Sequence, residues 1–301
     1  NALSSQSFNS STANYNIAIG FDAGVSVTTG LQNTLIGGLA GDALTDADFN
    51  VALGYLALST DTLGSKNVAI GKSALGTQNF TSATNSFNTA VGHEAGEQVT
   101  TGVRNTLIGG LSGGALTTGF ENVAFGTFSL TSDTLGRKST AVGYEALKNQ
   151  NFTSSTNSFN TAVGYNAGLS VTTGQENTLI GHSAGDELTT GNTNTAVGSL
   201  SLSSDTLGDR NVAIGRGTLS TQNFTSSTDS YNTAVGYDAG NDITTGVQNT
   251  LIGGLSGDAL TDSDFNTTLG YASLSSDTQG SKSVAIGNNT LASQNFTSAT
   301  D

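Results

Sequence analysis

The chain has 301 residues, enough for two ordinary globular domains, yet it holds 40 glycines, no proline, cysteine, methionine or tryptophan, and only 11% charged residues. Without cysteine it has neither disulfides nor thiolate metal sites, and no apolar run approaches the roughly 20 residues of a membrane helix. Its formal charge is −14, and its 9 lysines and arginines form no run that could follow phosphates, which argues against nucleic acid as a partner.

The first residues, NALSSQ, match SALGTQ at 73–78, so the chain is expected to begin inside a repeat and to be a segment of a longer array. The first predicted strand is Ile17-Ala18-Ile19, closed by Gly20. An N-x-[A/L]-[V/I]-G pattern then recurs along the whole chain. Its glycines are Gly20, Gly37, Gly54, Gly71, Gly92, Gly109, Gly126, Gly143, Gly164, Gly181, Gly198, Gly215, Gly236, Gly253, Gly270 and Gly287. Their spacing runs 17, 17, 17, 21 and then repeats, so small units are nested in a 72-residue repeat.

Each position has its own chemistry. A large apolar residue precedes the glycine (Ile19, Ile36, Leu53, Ile70), a β-branched one stands two earlier (Ile17, Thr34, Val51, Val68), and Ala or Leu lies between them. This alternation predicts a short strand, and the density of Gly, Thr and Val disfavours helix. The glycine predicts a backbone corner at positive φ, or an approach too close for a Cβ. Three residues on comes a small residue (Ala23, Ala40, Ala57, Ala74), and the next alternates in pairs, Gly24 and Gly41, then Leu58 and Leu75.

Strand, glycine corner, short return and second turn make one coil of a parallel β-solenoid, all-β, with about sixteen coils forming a single continuous array over 1–301. Stacked coils share one core. The expectation is that the residues before the glycines, such as Ile70, Val91 and Ile108, pile into its central column. Ala and Leu would then lie on the second strand face, exposed in a single solenoid or covered in a trimer. An Asn opens nearly every unit (Asn16, Asn33, Asn50, Asn67, Asn88), with Ser139 and Ser283 as exceptions. Either an amide ladder along the stack or a separate Asn turn in each coil explains it.

The segments NVAIGKSAL (67–75), NTAVGYNAG (160–168) and NVAIGRGTL (211–219) resemble the head repeats of YadA-type trimeric autotransporter adhesins. NTAVGYDAG followed by TTG and NTLIG is similar to repeats of phage and phage-like tail fibres. The resemblance implies a left-handed parallel β-roll, assembled as a homotrimer, projecting from a cell or virion and making adhesive contact.

Four extra residues bulge from every fourth coil, in TQNFTSATNSF (77–87), NQNFTSSTNSF (149–159), TQNFTSSTDSY (221–231) and SQNFTSAT (293–300). Phe80, Phe152, Phe224 and Phe296 are expected to fill the wider turn, the alternative being a row of receptor contacts. The same segments hold candidate glycosylation sites at Asn79, Asn151, Asn223 and Asn295, with further sequons at Asn9, Asn266 and Asn288. Acids in TDADF (45–49), TDSDF (261–265) and at Asp61, Asp133, Asp205 and Asp277 are expected as turn residues, because Ca²⁺ needs six to eight oxygens and the acid pair is missing from half the large repeats. His93 and His182 are expected as surface substitutions.

No HExxH, P-loop or GxSxG pattern occurs, so no catalysis, cofactor or metal is expected. The composition and repeats point to a structural component of an extracellular fibre, at a cell or virion surface, that self-associates as a homotrimer or longitudinal filament. The alternative is a receptor- or glycan-binding module using Tyr165, Tyr237 and the long turns. An ice-binding solenoid ranks below both, since it needs a Thr-x-Thr array in every coil.

Overall fold

In a computed structural model, residues 1–8 and 13–298 are described, and they form two compact units, Asn1–Asn157 and Ser158–Asp301. Both are parallel β-solenoids, and no helix occurs among the described residues. In the first unit the rung strands are Ile17–Ile19, Thr34–Ile36, Val51–Leu53, Val68–Ile70, Thr89–Val91, Thr106–Ile108, Val123–Phe125 and Thr140–Val142. The second repeats the pattern with Thr161–Val163, Thr178–Ile180, Thr195–Val197, Val212–Ile214, Thr233–Val235, Thr250–Ile252, Thr267–Leu269 and Val284–Ile286.

Strands pair in chain order, so the periodic sequence becomes a periodic register. Ile17 pairs with Thr34 and Thr34 with Val51, while Val68 reaches across the long turn to Thr89. Three of the long turns add a two-residue pairing, as between Gly64–Ser65 and Thr84–Asn85, or Gly208–Asp209 and Thr228–Asp229. Pairing continues beyond the strands: the Leu58 N–H donates to the Ala74 carbonyl at 3.0 Å and the Thr28 N–H to the Thr45 carbonyl at 2.9 Å.

The glycine corners satisfy both readings of the motif. Gly71 has φ +131°, and a Cβ there would collide with the carbonyl of Gly92 in the next turn. Non-glycine residues also enter the left-handed region, among them Leu58 (φ 52°), Lys66 (φ 64°) and Phe87 (φ 51°). These further corners are invisible in composition, because bulky side chains seldom adopt that backbone.

The strand faces are the reverse of the sequence-based expectation. Ala18 is half-buried at the start of the stack, but Leu35, Ala52, Ala69, Ala90 and Leu107 are fully buried and make the inner column. Ile70, Val91 and Ile108 do stack in register, but on the outside, where Leu53 is 42% and Phe125 52% exposed. The physical reason is room. Between a strand and the turn facing it the interior admits one leucine, and in the third and fourth coils Leu58 and Leu75 already enter it from that turn. Where the strand supplies that residue, the turn carries glycine: a Cβ on Gly24 or Gly41 would lie 2.6 or 2.8 Å from the methyls of Leu35.

Candidate functional site

Three features recur and could meet a partner or hold the stack together: the Asn column, the outward strand face and the long turns. The Asn column is a ladder. Asn33 donates through Nδ2 to the Ala47 carbonyl at 2.7 Å, and its Oδ1 accepts the Asn50 N–H at 3.0 Å. Asn50 repeats the clamp on Gly64 and Asn67, at 3.0 and 2.9 Å. In the second unit Asn160 bonds the Gly174 carbonyl at 2.7 Å and the Asn177 N–H at 2.9 Å. Most links run from amide to the backbone of the next turn, with direct amide pairs such as Asn67 to Asn50 at 3.1 Å in some coils. Ser139 lacks the amide but still donates its N–H to Asn122 Oδ1 at 3.0 Å.

The outward face carries hydrocarbon at its centre and aromatic or cationic residues along its edges. One edge is the column before the Asn, with Tyr15, Phe49, Lys66, Phe87, Arg104 and Lys138 in the first unit. The other follows the glycine, with Phe21, Tyr55, Lys72, His93 and Tyr144. Cations stack on rings along these edges: Lys66 lies 5.1 Å from the Phe87 ring centre, and Arg210 and Arg216 each 5.5 Å from those of Tyr231 and Tyr237. Seven of the nine lysines and arginines stand on the two edges (Lys66, Lys72, Arg104, Lys138, Arg210, Arg216 and Lys282), against only Glu121 and Glu176 of the 23 acids. Four of these cations are matched by carboxylates: Lys72 pairs with Glu94 at 2.6 Å, Arg104 with Glu121 at 3.0 Å, Arg216 with Asp238 at 3.6 Å, and Arg210 with Asp229. The sequence hid this edge placement because the cations are far apart in the chain.

His93 is exposed beside Glu94, at 3.6 Å, and His182 stacks on Tyr165 with ring centres 5.6 Å apart. Both sit on the edge following the glycine. No rung strand has threonine at both outward positions, so the Thr-x-Thr array that an ice-binding face requires is absent from the described strands. Instead, threonine hydroxyls are used internally, Thr45 Oγ1 donating to the Thr62 carbonyl at 3.1 Å.

In the long turns, Phe80, Phe152 and Phe224 are plugs, only 6%, 4% and 5% exposed. Phe296 is 42% exposed, with no described turn stacked beyond it. The residues after each plug, Thr81-Ser82-Ala83, Thr153-Ser154-Ser155 and Thr225-Ser226-Ser227, are exposed. Asn151, Asn223 and Asn295 are exposed and Asn79 half-buried, and each accepts a threonine hydroxyl at Oδ1: from Thr62 at 3.1 Å, Thr134 at 2.9 Å, Thr206 at 2.9 Å and Thr278 at 3.2 Å. Asn266 is fully buried and bonded to the Gly280 carbonyl at 2.9 Å, which closes that sequon to modification in the folded chain. Asn288 is exposed, and Asn9 lies outside the described residues.

The acids of the turns are bonded within the fold. Asp48 and Asp264 accept the N–H groups of Leu31 and Val247, both at 2.8 Å. Asp61, Asp133, Asp205 and Asp277 are turn residues whose Oδ1 accepts the N–H three residues on, each at 3.0 Å. They are also fully buried, which the sequence did not reveal, and burial pushes the carboxyls of Asp61, Asp133 and Asp205 above the usual range. Among the described residues, no three His, Cys, Asp or Glu side chains gather as a metal-holding group, and no helix is long and apolar enough to cross a membrane.

Comparison with protein-family models and with curated protein sequences returned no match for this chain.

Proposed function

We propose that this chain is a structural segment of an extracellular fibre, at a cell or virion surface, acting through stiffness and a repeated surface and not through catalysis. One observation carries the reading: within each unit the turns are fastened one to the next, by strand pairing and, except at Ser139 and Ser283, by the Asn ladder. Hydrogen bonds aligned with the stack oppose stretching, and cooperativity passes from turn to neighbouring turn. The resemblance to adhesin heads and tail fibres supports the same reading.

Copies associate side by side through the outward face, as a homotrimer, or continue end to end as a filament. An uncovered aliphatic strip of this extent is what an interaction surface looks like before its partner arrives, and a second copy presents the same strand spacing. Sedimentation equilibrium on the whole chain tests it, with Val91→Asp/Ile108→Asp as the comparison. Association in the parent and its loss in the variant are expected. A parent that stays monomeric at every concentration removes lateral assembly, and electron micrographs without extended particles would remove the fibre.

A receptor- or glycan-binding module is the second reading, favoured by the uncovered rings of Tyr165 and Tyr237. Replacing Thr81, Ser82 and their counterparts separates the two. Attachment lost with assembly intact supports binding, whereas unchanged attachment supports the structural role. Phe80 is unsuitable for this test because it is part of the core.

A further inference from the structure

Seven residues after each motif glycine, one column enters the core. It reads Val27, Leu44, Asp61, Gln78 in the first large repeat, and Val171, Leu188, Asp205, Gln222 in the third. All eight side chains are fully buried. Val and Leu fill the first two levels, so neither volume nor backbone demands a polar pair at the next two. A buried carboxylate next to a buried amide is costly unless each atom is satisfied.

Here they are satisfied by the two ends of the long turn. Asp61 Oδ2 accepts the Gln78 amide at 2.6 Å. Its Oδ1 accepts the N–H of Gly64 at 3.0 Å and that of Phe80 at 3.1 Å, where the long turn departs. Gln78 Oε1 accepts the Asn88 amide at 2.8 Å, where the turn rejoins the Asn column. Asp205, Gln222 and Asn232 repeat the chain of contacts at 2.6 and 2.8 Å. With Asp133–Gln150 and Asp277–Gln294, the glutamine amide instead donates to Ser139 at 2.8 Å and Ser283 at 3.3 Å, both of which precede their long turns, so these two pairs hold the departing end. Gly64 belongs to the same device, since a Cβ there would strike the Asp61 carboxylate and the Phe80 ring. Every long turn follows an Asp–Gln pair, and none follows Val–Leu.

We propose that the Asp61–Gln78 and Asp205–Gln222 contacts are each a latch for one long turn: each fastens both ends of its turn to the coil below, and when it is lost that turn opens by itself while the coils stay stacked. The plug Phe80 and the exposed Thr81-Ser82-Ala83 segment are then presented by the latch.

Hydrogen exchange read by mass spectrometry on the whole chain tests this, with the other long turns as controls. In Gln78→Leu, exchange over 80–87 should rise at least about tenfold, the loss of a hydrogen bond to a buried carboxylate. Turns 152–159 and 224–231 should exchange as in the parent. Asp61→Val/Gln78→Leu, which copies the Val27–Leu44 pair, should protect Val68–Ile70 and Thr89–Val91 fully and still leave 80–87 open. Parent-like protection of 80–87 in the double variant would reduce the pair to core filling and overturn the latch. So would loss of protection in those strands in both variants.

Discussion

The first two coils of each large repeat and the last two fill the same cross-section by opposite means. In the first pair a strand leucine, Leu35, occupies the core opposite Gly24 and Gly41, and Val27 and Leu44 complete it. In the second pair the strand gives only Ala52 and Ala69, Leu58 and Leu75 come from the turn, and Asp61 and Gln78 replace the apolar pair. The second filling is the bulkier of the two as well as the more polar. The backbone accepts either filling, and the polar one occurs where extra chain must leave the stack and return.

The largest expected effect ignores the difference between the halves. Gly71→Ala forces a Cβ into the Gly92 backbone at a positive φ, and should cost about 4 kcal/mol or more in urea unfolding. Gly38→Ala, whose new methyl would meet only the Tyr55 ring at 3.4 Å, should stay within about 0.5 kcal/mol. Equal losses at the two positions would mean that the corner does not depend on glycine. Next, Leu35→Ala empties the apolar half and should cost about 3 kcal/mol. Gln78→Ala in the polar half should cost about 2 kcal/mol, because it strips a donor from a buried carboxylate. If Gln78→Ala proved silent, the polar half would be a passive variant of the apolar one.

A smaller effect separates the halves by pH. Burial raises the carboxyls of Asp61, Asp133 and Asp205 above the ordinary 3.8, so the folded chain holds these protons more tightly than the unfolded chain does. Stability from these groups is therefore greatest in acid and falls as pH rises from near 4 until the folded carboxyls have ionised too. Asp42, Asp186 and Asp258, also raised by burial, act in the same direction. Melting temperatures taken across this interval should decline with pH, and less steeply in Asp61→Val/Gln78→Leu. A rise with pH would reverse the assignment. Smallest of all, Ile286→Asp, at an outward position 62% exposed, should leave the unfolding free energy of the dissociated chain within about 0.5 kcal/mol, its effect being confined to association.

Much of the fold was legible because the repeat is parallel and in register. Counting 17 and 21 residues from Gly20 onward is enough to align Ile17 with Thr34, and Val68 with Thr89. The corner at Gly71 and the plug at Phe80 were legible for the same reason, each being a local demand restated at every period. The Asp61–Gln78 contact had a signal that went unread: the two stand one coil apart in the column of Val27 and Leu44, which marks them as buried neighbours.

From sequence alone came the period, the parallel stacking and the glycine corners, since these follow from spacing and from what a backbone without a Cβ can do. Which strand face is inside was decided only in three dimensions. Alternation along Val68-Ala69-Ile70 is the same read from either side, and the choice falls to the narrow interior, which takes Ala69 with Leu75 and leaves no room for Ile70.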